Sequence, residues 1–425
     1  MTQAKSHADA SIRSARIALV TLTAINLLNY LDRYLIAGIV VPLKDALGAN
    51  DADIGLLTSV FLLVYMVASP IFGIMARRTS RTFILAAGIL IWSLATIGSG
   101  FVNTLTQLFI MRAIVGIGEA AYTTVGPAML ADHYSPVRRP FALSIFYAAI
   151  PVGSALSYIA SGLIVDAWGW REVFLAGGAP GIALAIVCLK LKDPPRGQFD
   201  ELTSEITASP LHTHSTSNII ANIKTMMKSR DFVTATAGYI AFTFAFGALA
   251  VWMPYYLQSA RGWSVASSTT TFGIVLVVSG FVGTIAGGAV AKRLGGGSAS
   301  CLKLCGICMA VAAPSSIIAL YCQDDWLIIL GLTISSAFSF ATQGPVNAVI
   351  LNSVSALLRP FAIGMSVLLI HLLGDVPSPW LVGKISDSTM DIEFAMGLIP
   401  IAMGISAVVW FVAGKSRQQN PQRIQ

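Results

Sequence analysis

Four ionisable side chains stand inside stretches that otherwise read as apolar. Asp32 and Arg33 interrupt ALVTLTAINLLNYLDRYLIAGIVVPL, and Arg112 and Glu119 interrupt a second run at RAIVGIGEA, residues 112 to 120. An ionised group at the centre of a bilayer costs about 2.5 to 3.5 kcal/mol on insertion scales, so Asp32 and Arg33 facing lipid would penalise their helix by roughly 5 to 7 kcal/mol. Consecutive helical residues point about 100° apart, so these two cannot satisfy each other and each needs a partner on another helix. Arg112 and Glu119 are seven residues apart, which places them on one face, about 10 Å apart along the axis. Counted from the cytoplasmic end of its helix, Asp32 lies roughly 20 Å deep, level with Arg112. The expectation is an Asp32 to Arg112 contact, with Arg33 left for a substrate anion or another helix. Carboxylates can gain and lose protons and guanidiniums bind anions, so Asp32 and Glu119 are candidates for carrying protons, and Arg33 and Arg112 for binding substrate or pairing charge. Tyr30, Tyr122, Asn347, Asn352, His371 and Asp375 are candidates for lining a polar cavity. For the two asparagines interhelical hydrogen bonding is the favoured role, and His371 could equally serve as a neutral hydrogen-bonding core residue.

The elements that must hold these groups follow from composition. The 425-residue chain is 55% hydrophobic and 11% charged, with a mean hydropathy of +0.75, whereas soluble domains carry about 25% charged residues. A bilayer core about 30 Å thick needs roughly 20 apolar residues per helical crossing. Twelve such runs are present, near residues 16–41, 53–75, 82–101, 104–131, 140–165, 172–190, 231–258, 266–291, 299–321, 326–353, 360–384 and 391–414. The fold class is therefore all-α polytopic membrane protein. With both termini assigned to the cytoplasm, Arg13, Arg16, Arg77, Arg78, Arg81, Arg138, Arg139, Lys292, Arg293, Arg359, Lys415 and Arg417 fall inside, while Asp45, Asp51, Asp53, Asp324, Asp325, Asp391 and Glu393 fall outside. The net charge of +7 is thus a topology signal and gives no support to nucleic-acid binding. Residues 1 to 15 are polar and the first apolar run is too long for a cleavable signal peptide. Cys301, Cys305 and Cys308 share a helix face but lack metal-ligand spacing, so the expectation is small apolar packing and no metal. No nucleophile elbow or phosphate loop suggests an enzyme.

A polar connection at residues 191 to 218, LKDPPRGQFDELTSEITASPLHTHSTSN, separates six runs from six. His212 and His214 within it read as solvated linker. Beyond it, Ile219, Ile220, Ile223, Met226 and Met227 recur among Lys224, Lys228 and Arg230, the pattern of an amphipathic helix on the cytoplasmic surface. The halves repeat each other. RRPFALS (138–144) returns as LRPFAIG (358–364), SYIASGLIVD (157–166) as SPWLVGKISD (378–387), GIMARRTS (73–80) as GAVAKRLG (288–295), and Gly126-Pro127 as Gly344-Pro345. The expected organisation is an N-terminal tail (1–15), a six-helix bundle (16–190), a cytoplasmic linker with the amphipathic helix (191–229), a second bundle (230–414) and a C-terminal tail (415–425). Two duplicated bundles joined this way are the architecture of a rocker-type secondary transporter, with its substrate site at mid-membrane.

The loop pattern and RAIVGIGEA resemble the major facilitator superfamily. NYLDRY (29–34), GIGEAAYTTVGPAMLAD (116–132), FYAAIPVGSALSY (146–158), WGWREVF (168–174), PVNAVILN (345–352) and HLLGDVPSP (371–379) resemble its spinster branch. The resemblance implies carriage of amphipathic anions such as lysophospholipids and sphingosine 1-phosphate, coupled to protons in bacterial members. In the superfamily the loop after the second helix carries an Asp that latches the cytoplasmic side near a helix N-terminus. Here that position is Arg77, within a candidate gating loop of Gly73, Arg77, Arg78 and Arg81, and its repeat is Lys292. A guanidinium is unfavourable at such a site, which leaves a latch or plain positive-inside topology as the alternatives for Arg77. The resulting expectation is a proton-coupled carrier of an amphipathic organic anion in the plasma (inner) membrane, monomeric, with protons as coupling ion and no cofactor. Its partners are a small-molecule or lipid substrate and the membrane lipids. The rivals are a symporter of small aromatic or sugar acids and, in another class, an uncoupled lipid scramblase or a transporter-like receptor.

Overall fold

The computed structural model describes residues 2–49, 51–200, 219–263 and 265–418. Among them, twelve helices are long and apolar enough to cross a membrane: α1 (Arg13–Tyr34), α2 (Leu56–Met75), α3 (Arg81–Ser99), α4 (Leu105–Asp132), α5 (Arg139–Val165), α6 (Trp170–Leu189), α7 (Arg230–Ser259), α8 (Thr270–Arg293), α9 (Ser298–Tyr321), α10 (Asp325–Asn352), α11 (Ala356–Thr389) and α12 (Ile392–Lys415). Their ends are set by local chemistry. Thr104 and Gln107 close a reciprocal capping box at the start of α4, and Ser229 accepts the Phe232 amide at the start of α7, each satisfying amides that the first turn leaves without partners. The first apolar run is not one helix. The α-helical backbone runs from Thr2, through the stretch expected as a tail, and stops at Tyr34; a tighter 3-10 turn, Leu35–Gly38, and a separate helix, Val40–Leu47, follow. Asp32 and Arg33 therefore occupy the last turn of α1.

The described residues fall into two compact units. Unit 1 draws on Met1–Ser135, Val152–His214 and Ser355–Met365, and unit 2 on Pro136–Pro151, Ser215–Val354 and Ser366–Gln425. The first turns of α5 thus belong to unit 2, and those of α11 to unit 1. In unit 1, α3 packs on α4 and α6 through glycine: a Cβ on Gly118 would lie 2.6 Å from the Trp92 amide nitrogen, and one on Gly178 2.6 Å from the Ser93 carbonyl. A core of Leu35, Ile36, Ile39, Leu43, Leu57, Leu108, Trp170, Val173 and Phe174 fixes the chain just beyond α1 against α2, α4 and α6. In unit 2, α9 meets α12 at Gly306, where a Cβ would meet the Phe411 amide at 2.5 Å, and α10 at Gly331, facing the Ser315 carbonyl at 2.7 Å.

After α6 the first ten residues of the linker fold back onto the ends of α3 and α4 through the contacts described below. His212 and His214 lie outside the described residues. The amphipathic segment is a helix, Ile219–Lys228, with Met226 buried and Ile220 and Met227 exposed. Cys301, Cys305 and Cys308 are buried free thiols, and Cys305 Sγ donates to the Thr342 carbonyl at 3.8 Å.

Candidate functional site

Three helices of unit 1 bring the four charges together. Arg112, Gly116 and Glu119 recur along one face of α4. Gly116 lets the α2 backbone close to within 2.8 Å of where a Cβ would stand, at the Phe61 carbonyl. That approach sets the Phe61 ring beside both guanidiniums, with the Arg112 Cζ 4.9 Å and the Arg33 Cζ 5.0 Å from its centroid. Tyr30 and Tyr65 each stand 4.8 Å from Arg33. Desolvated cation–ring contacts of this kind are worth about 2 kcal/mol or more per pair, so they cushion a buried guanidinium but supply no counter-charge.

The counter-ion of Arg33 is Glu119. Arg33 Nη2 donates to Glu119 Oε2 at 2.7 Å, and Nε to the same oxygen at 3.1 Å. This corrects the expected pairing. Asp32 accepts instead from the Thr96 hydroxyl of α3 at 2.7 Å, and it forms no ion pair with Arg112. Equal depth was the wrong criterion: azimuth on α1 and the reach of the longer Arg33 side chain decide which group meets α4. Asp32, Arg112 and Glu119 are buried, Glu119 fully and Asp32 to 1% exposure, and the Arg33 side chain is 12% exposed. Three of their atoms, Asp32 Oδ1, Glu119 Oε1 and Arg112 Nε, have no hydrogen-bond partner. Two cations and two carboxylates thus form a formally neutral cluster with bonding capacity left over.

The remaining candidates divide. Tyr30 sits on Arg33 as described. Tyr122 is a packing residue, fully buried, its hydroxyl donating to the Leu22 carbonyl and its ring edge-on to Trp92 at 5.6 Å. Asn352 accepts from Arg139 Nη1 at 2.5 Å, near the end of α10. In unit 2, Asn347 Nδ2 donates to the Gln343 carbonyl at 2.9 Å, and Gln343 Oε1 accepts from the Tyr239 hydroxyl at 2.8 Å. From Tyr239 an aromatic series continues through Phe242, Phe246 and Phe340, with centroids 5.7, 5.9 and 5.1 Å apart in turn. His371 Nδ1 lies 2.9 Å from both oxygens of Asp375. The pair spans a π-helical turn, His371–Asp375, a distortion frequent at functional positions. The turn packs on α7, where the Thr243 hydroxyl donates to the Ile370 carbonyl at 3.1 Å and a Cβ on Gly247 would strike the Asp375 Cβ at 2.6 Å.

The loop residues are not equivalent. Arg78 is exposed, Arg77 is partly buried with its Nη1 unpaired, and Gly73 is buried in backbone contact with Phe361. Arg81 is 1% exposed. It donates through Nη1 to Asp132 at 2.5 Å, through Nε to Asp193 at 2.7 Å and through Nη2 to the Pro194 carbonyl at 2.6 Å. Asp193 also accepts the Arg81 amide at 3.2 Å, at the first turn of α3. The favourable carboxylate at a helix N-terminus is therefore supplied by the linker and not by position 77. Beside this node His133 is 7% exposed. Burial, and then the neighbouring Arg81, lower its pKa from the usual 6.5.

Sequence reasoning missed Phe61, Tyr65, Thr96, Tyr239 and Gln343, which carry no charge to flag them, and Asp132, Asp193 and Asp200. The 220-residue repeat could have exposed Asp132, because it aligns Asp132 with Asn352 and Arg139 with Arg359.

The Major Facilitator Superfamily profile matches residues 22–379. The chain is similar to spinster homolog 3 of Danio rerio, 32% identical over 403 residues covering 89% of this chain and 78% of that protein. It is likewise similar to the sphingosine-1-phosphate transporter of Mus musculus, 32% identical over 392 residues covering 85% and 68%. A crystal structure of a bacterial homologue of the human lysosomal transporter spinster, inward-facing and unoccupied, superposes with a TM-score of 0.60 at 21% identity, covering 96% of this chain and 98% of that one.

Proposed function

The chain belongs to the spinster branch of the Major Facilitator Superfamily and is a multi-pass membrane transporter, and we propose that it carries an amphipathic organic anion, lysolipid-like in joining a charged head to an apolar tail, coupled to protons. The observation that supports this reading is the buried cluster of Asp32, Arg33, Arg112 and Glu119 around Phe61. While Glu119 is ionised it neutralises Arg33. A proton on Glu119 removes that charge, and Arg33 and Arg112 then present uncompensated positive charge to an anion. Loss of the proton restores the pair and expels the anion. Proton and substrate therefore favour each other's binding, which is thermodynamic linkage through one ion pair. Asp32, held by Thr96 through one oxygen, offers a second titrating group with its other oxygen free. Within the same unit the rings of Tyr30, Phe61 and Tyr65 beside Arg33 offer apolar surface next to the charges. The positive-inside distribution of Lys and Arg supports cytoplasmic termini, and the plasma membrane is the proposed location.

Proteoliposome flux tests the reading, with a lysolipid set against small aromatic and sugar acids, each with and without an imposed pH gradient. The expected result is lysolipid flux that rises with the gradient and loses that response in Glu119→Gln. Flux indifferent to the gradient for every substrate removes the coupling, and flux of small acids alone removes the amphipathic substrate.

A further inference from the structure

The linker presents one arginine to the end of α2. It is pinned on both sides of that residue: the Pro194 carbonyl accepts from Arg81 Nη2 at 2.6 Å, the Gly197 amide donates to Asp132 at 3.1 Å, and Gln198 Nε2 donates to the Asp132 carbonyl at 2.5 Å. The chain turns between these anchors because Gly197 takes a φ of 69°, a conformation that costs glycine nothing. Arg196 is thereby held in place. Its Nη2 donates to the Ala76 carbonyl at 2.6 Å, one residue before Arg77.

Two guanidiniums thus meet at the end of α2, and neither is complete. Arg77 Nη1 and Arg196 Nη1 are each buried without a hydrogen-bond partner. The carboxylates nearby are engaged elsewhere. Arg81 pairs with Asp132 and Asp193, and Arg359 pairs with Asp132 and, through Nη2, with Asp200 at 2.5 Å. Burial and then Arg81 lower the pKa of Arg196, and Arg77 adds to that effect against the opposing Asp193 and Asp132. Inward-turned donors of like charge are costly to leave unpaired, and an anion is the group that would complete both.

The second repeat shows what a plain topology signal looks like. GIMARRTS (73–80) and GAVAKRLG (288–295) align Arg77 and Arg78 with Lys292 and Arg293. Lys292 and Arg293 are exposed, as is Arg78, and Lys292 rests 5.2 Å from the Phe141 ring. Marking the cytoplasmic side requires only that charge reach water. Arg77 instead turns one nitrogen inward beside a second arginine.

We propose that Arg77 and Arg196 form a binding site for a phosphate group of net negative charge, supplied either by an anionic phospholipid of the cytoplasmic leaflet or by free phosphate. A phosphate carries several acceptor oxygens pointing in different directions, so it takes donors from two guanidiniums at once. Basic pockets at the cytoplasmic ends of spanning helices suit anionic headgroups for the same reason. The bound group ties the linker to α2 through Arg196. The proposal depends on neither the transported substrate nor proton coupling.

The test uses the delipidated full-length protein in neutral detergent and native mass spectrometry, titrating phosphatidylglycerol against phosphatidylcholine with the same chains. The protein is expected to prefer phosphatidylglycerol on the order of twentyfold, and Arg77→Gln and Arg196→Gln are each expected to cut that preference about fivefold, the worth of one basic residue at an anionic surface. Arg78→Gln and Arg293→Gln should leave it unchanged. Inorganic phosphate added without lipid separates the two sources. A rise in the thermal unfolding midpoint that Arg196→Gln abolishes assigns the site to free phosphate; a phosphatidylglycerol preference without that rise assigns it to lipid. Arg77→Asp gives Arg196 a carboxylate of its own and should lose the lipid preference without lowering the unfolding midpoint, which distinguishes a filled site from a misfolded one. A protein that neither prefers phosphatidylglycerol nor responds to phosphate, or a preference undiminished in both Arg77→Gln and Arg196→Gln, would overturn the proposal.

Discussion

One face of α4 carries Arg112, Gly116 and Glu119, and the positions 218 residues later on α10 carry Leu330, Ile334 and Ala337. The break that follows is retained, as Gly126-Pro127 and Gly344-Pro345, but the charges are not. Unit 2 instead sets neutral hydrogen bonders, Tyr239, Gln343 and Asn347, at the head of an aromatic series. The difference teaches that the duplicated features are those that fix how backbones meet, while the charge is placed in one copy. There is a physical reason for concentrating it. A buried ion needs its counter-ions at close range, because breaking a buried pair is costly whereas a neutral bond exchanged for another costs little. Four groups held in one bundle can compensate one another's charge at close range; the same four divided between two bundles could not.

The contrast predicts its largest effect on folding. Arg33→Met leaves Glu119 as an uncompensated buried carboxylate and is expected to destabilise the protein by about 3 to 5 kcal/mol, with the double variant Arg33→Met/Glu119→Gln recovering most of that loss. Thermal unfolding in detergent measures both. Tyr239→Phe in unit 2 removes one neutral bond and is expected to cost about 1 kcal/mol. Equal losses in the two units would end the distinction between them.

Much of this arrangement was legible in the sequence, and the failures have a common cause. Hydropathy found the twelve helices because the bilayer imposes their length, and the spacing of Arg112 and Glu119 placed both on one face because 3.6-residue periodicity is local. The partner of Arg33 was not legible, since it depends on how α1 is rotated about its axis, which packing against α4 and α6 decides. Nor was the role of Arg359. Counted in the positive-inside tally, it looked like a topology signal, and only the fold shows that it meets Asp132 of the other repeat. The linker misled for a related reason: its composition is polar, yet Asp193 and Asp200 complete a buried ion network.

Within unit 1 the two carboxylates are expected to separate. Asp32→Asn keeps the acceptor for Thr96 and leaves the Arg33–Glu119 pair intact, so binding of an anionic head should persist or tighten by a few fold once a competing negative charge is gone. Flux driven by a pH gradient should nevertheless fall by on the order of tenfold, because one group that can release its proton is lost. Binding titrations and gradient-driven flux on the same preparation test this. Normal driven flux in Asp32→Asn would make Asp32 a scaffold residue and leave Glu119 as the lone coupling group.

The smallest expected effect lies beside the Arg81–Asp132 pair at the end of α4. His133 has its pKa lowered by burial and by Arg81. The folded protein therefore binds this proton less readily than the unfolded chain, whose His titrates near 6.5. The stabilisation is present above that value and is lost as the pH falls through the folded pKa, when the unfolded state takes up the proton first. Between about pH 7 and pH 5 the midpoint of thermal unfolding should decline by about one degree, the shift that a change of about 1 kcal/mol produces in a chain of this size. His133→Gln, which carries no proton to gain, should flatten that decline. An identical pH profile in His133→Gln would mean that the Arg81 node tolerates a third positive charge, and that its acids outweigh its arginines more than the hydrogen-bond pattern implies.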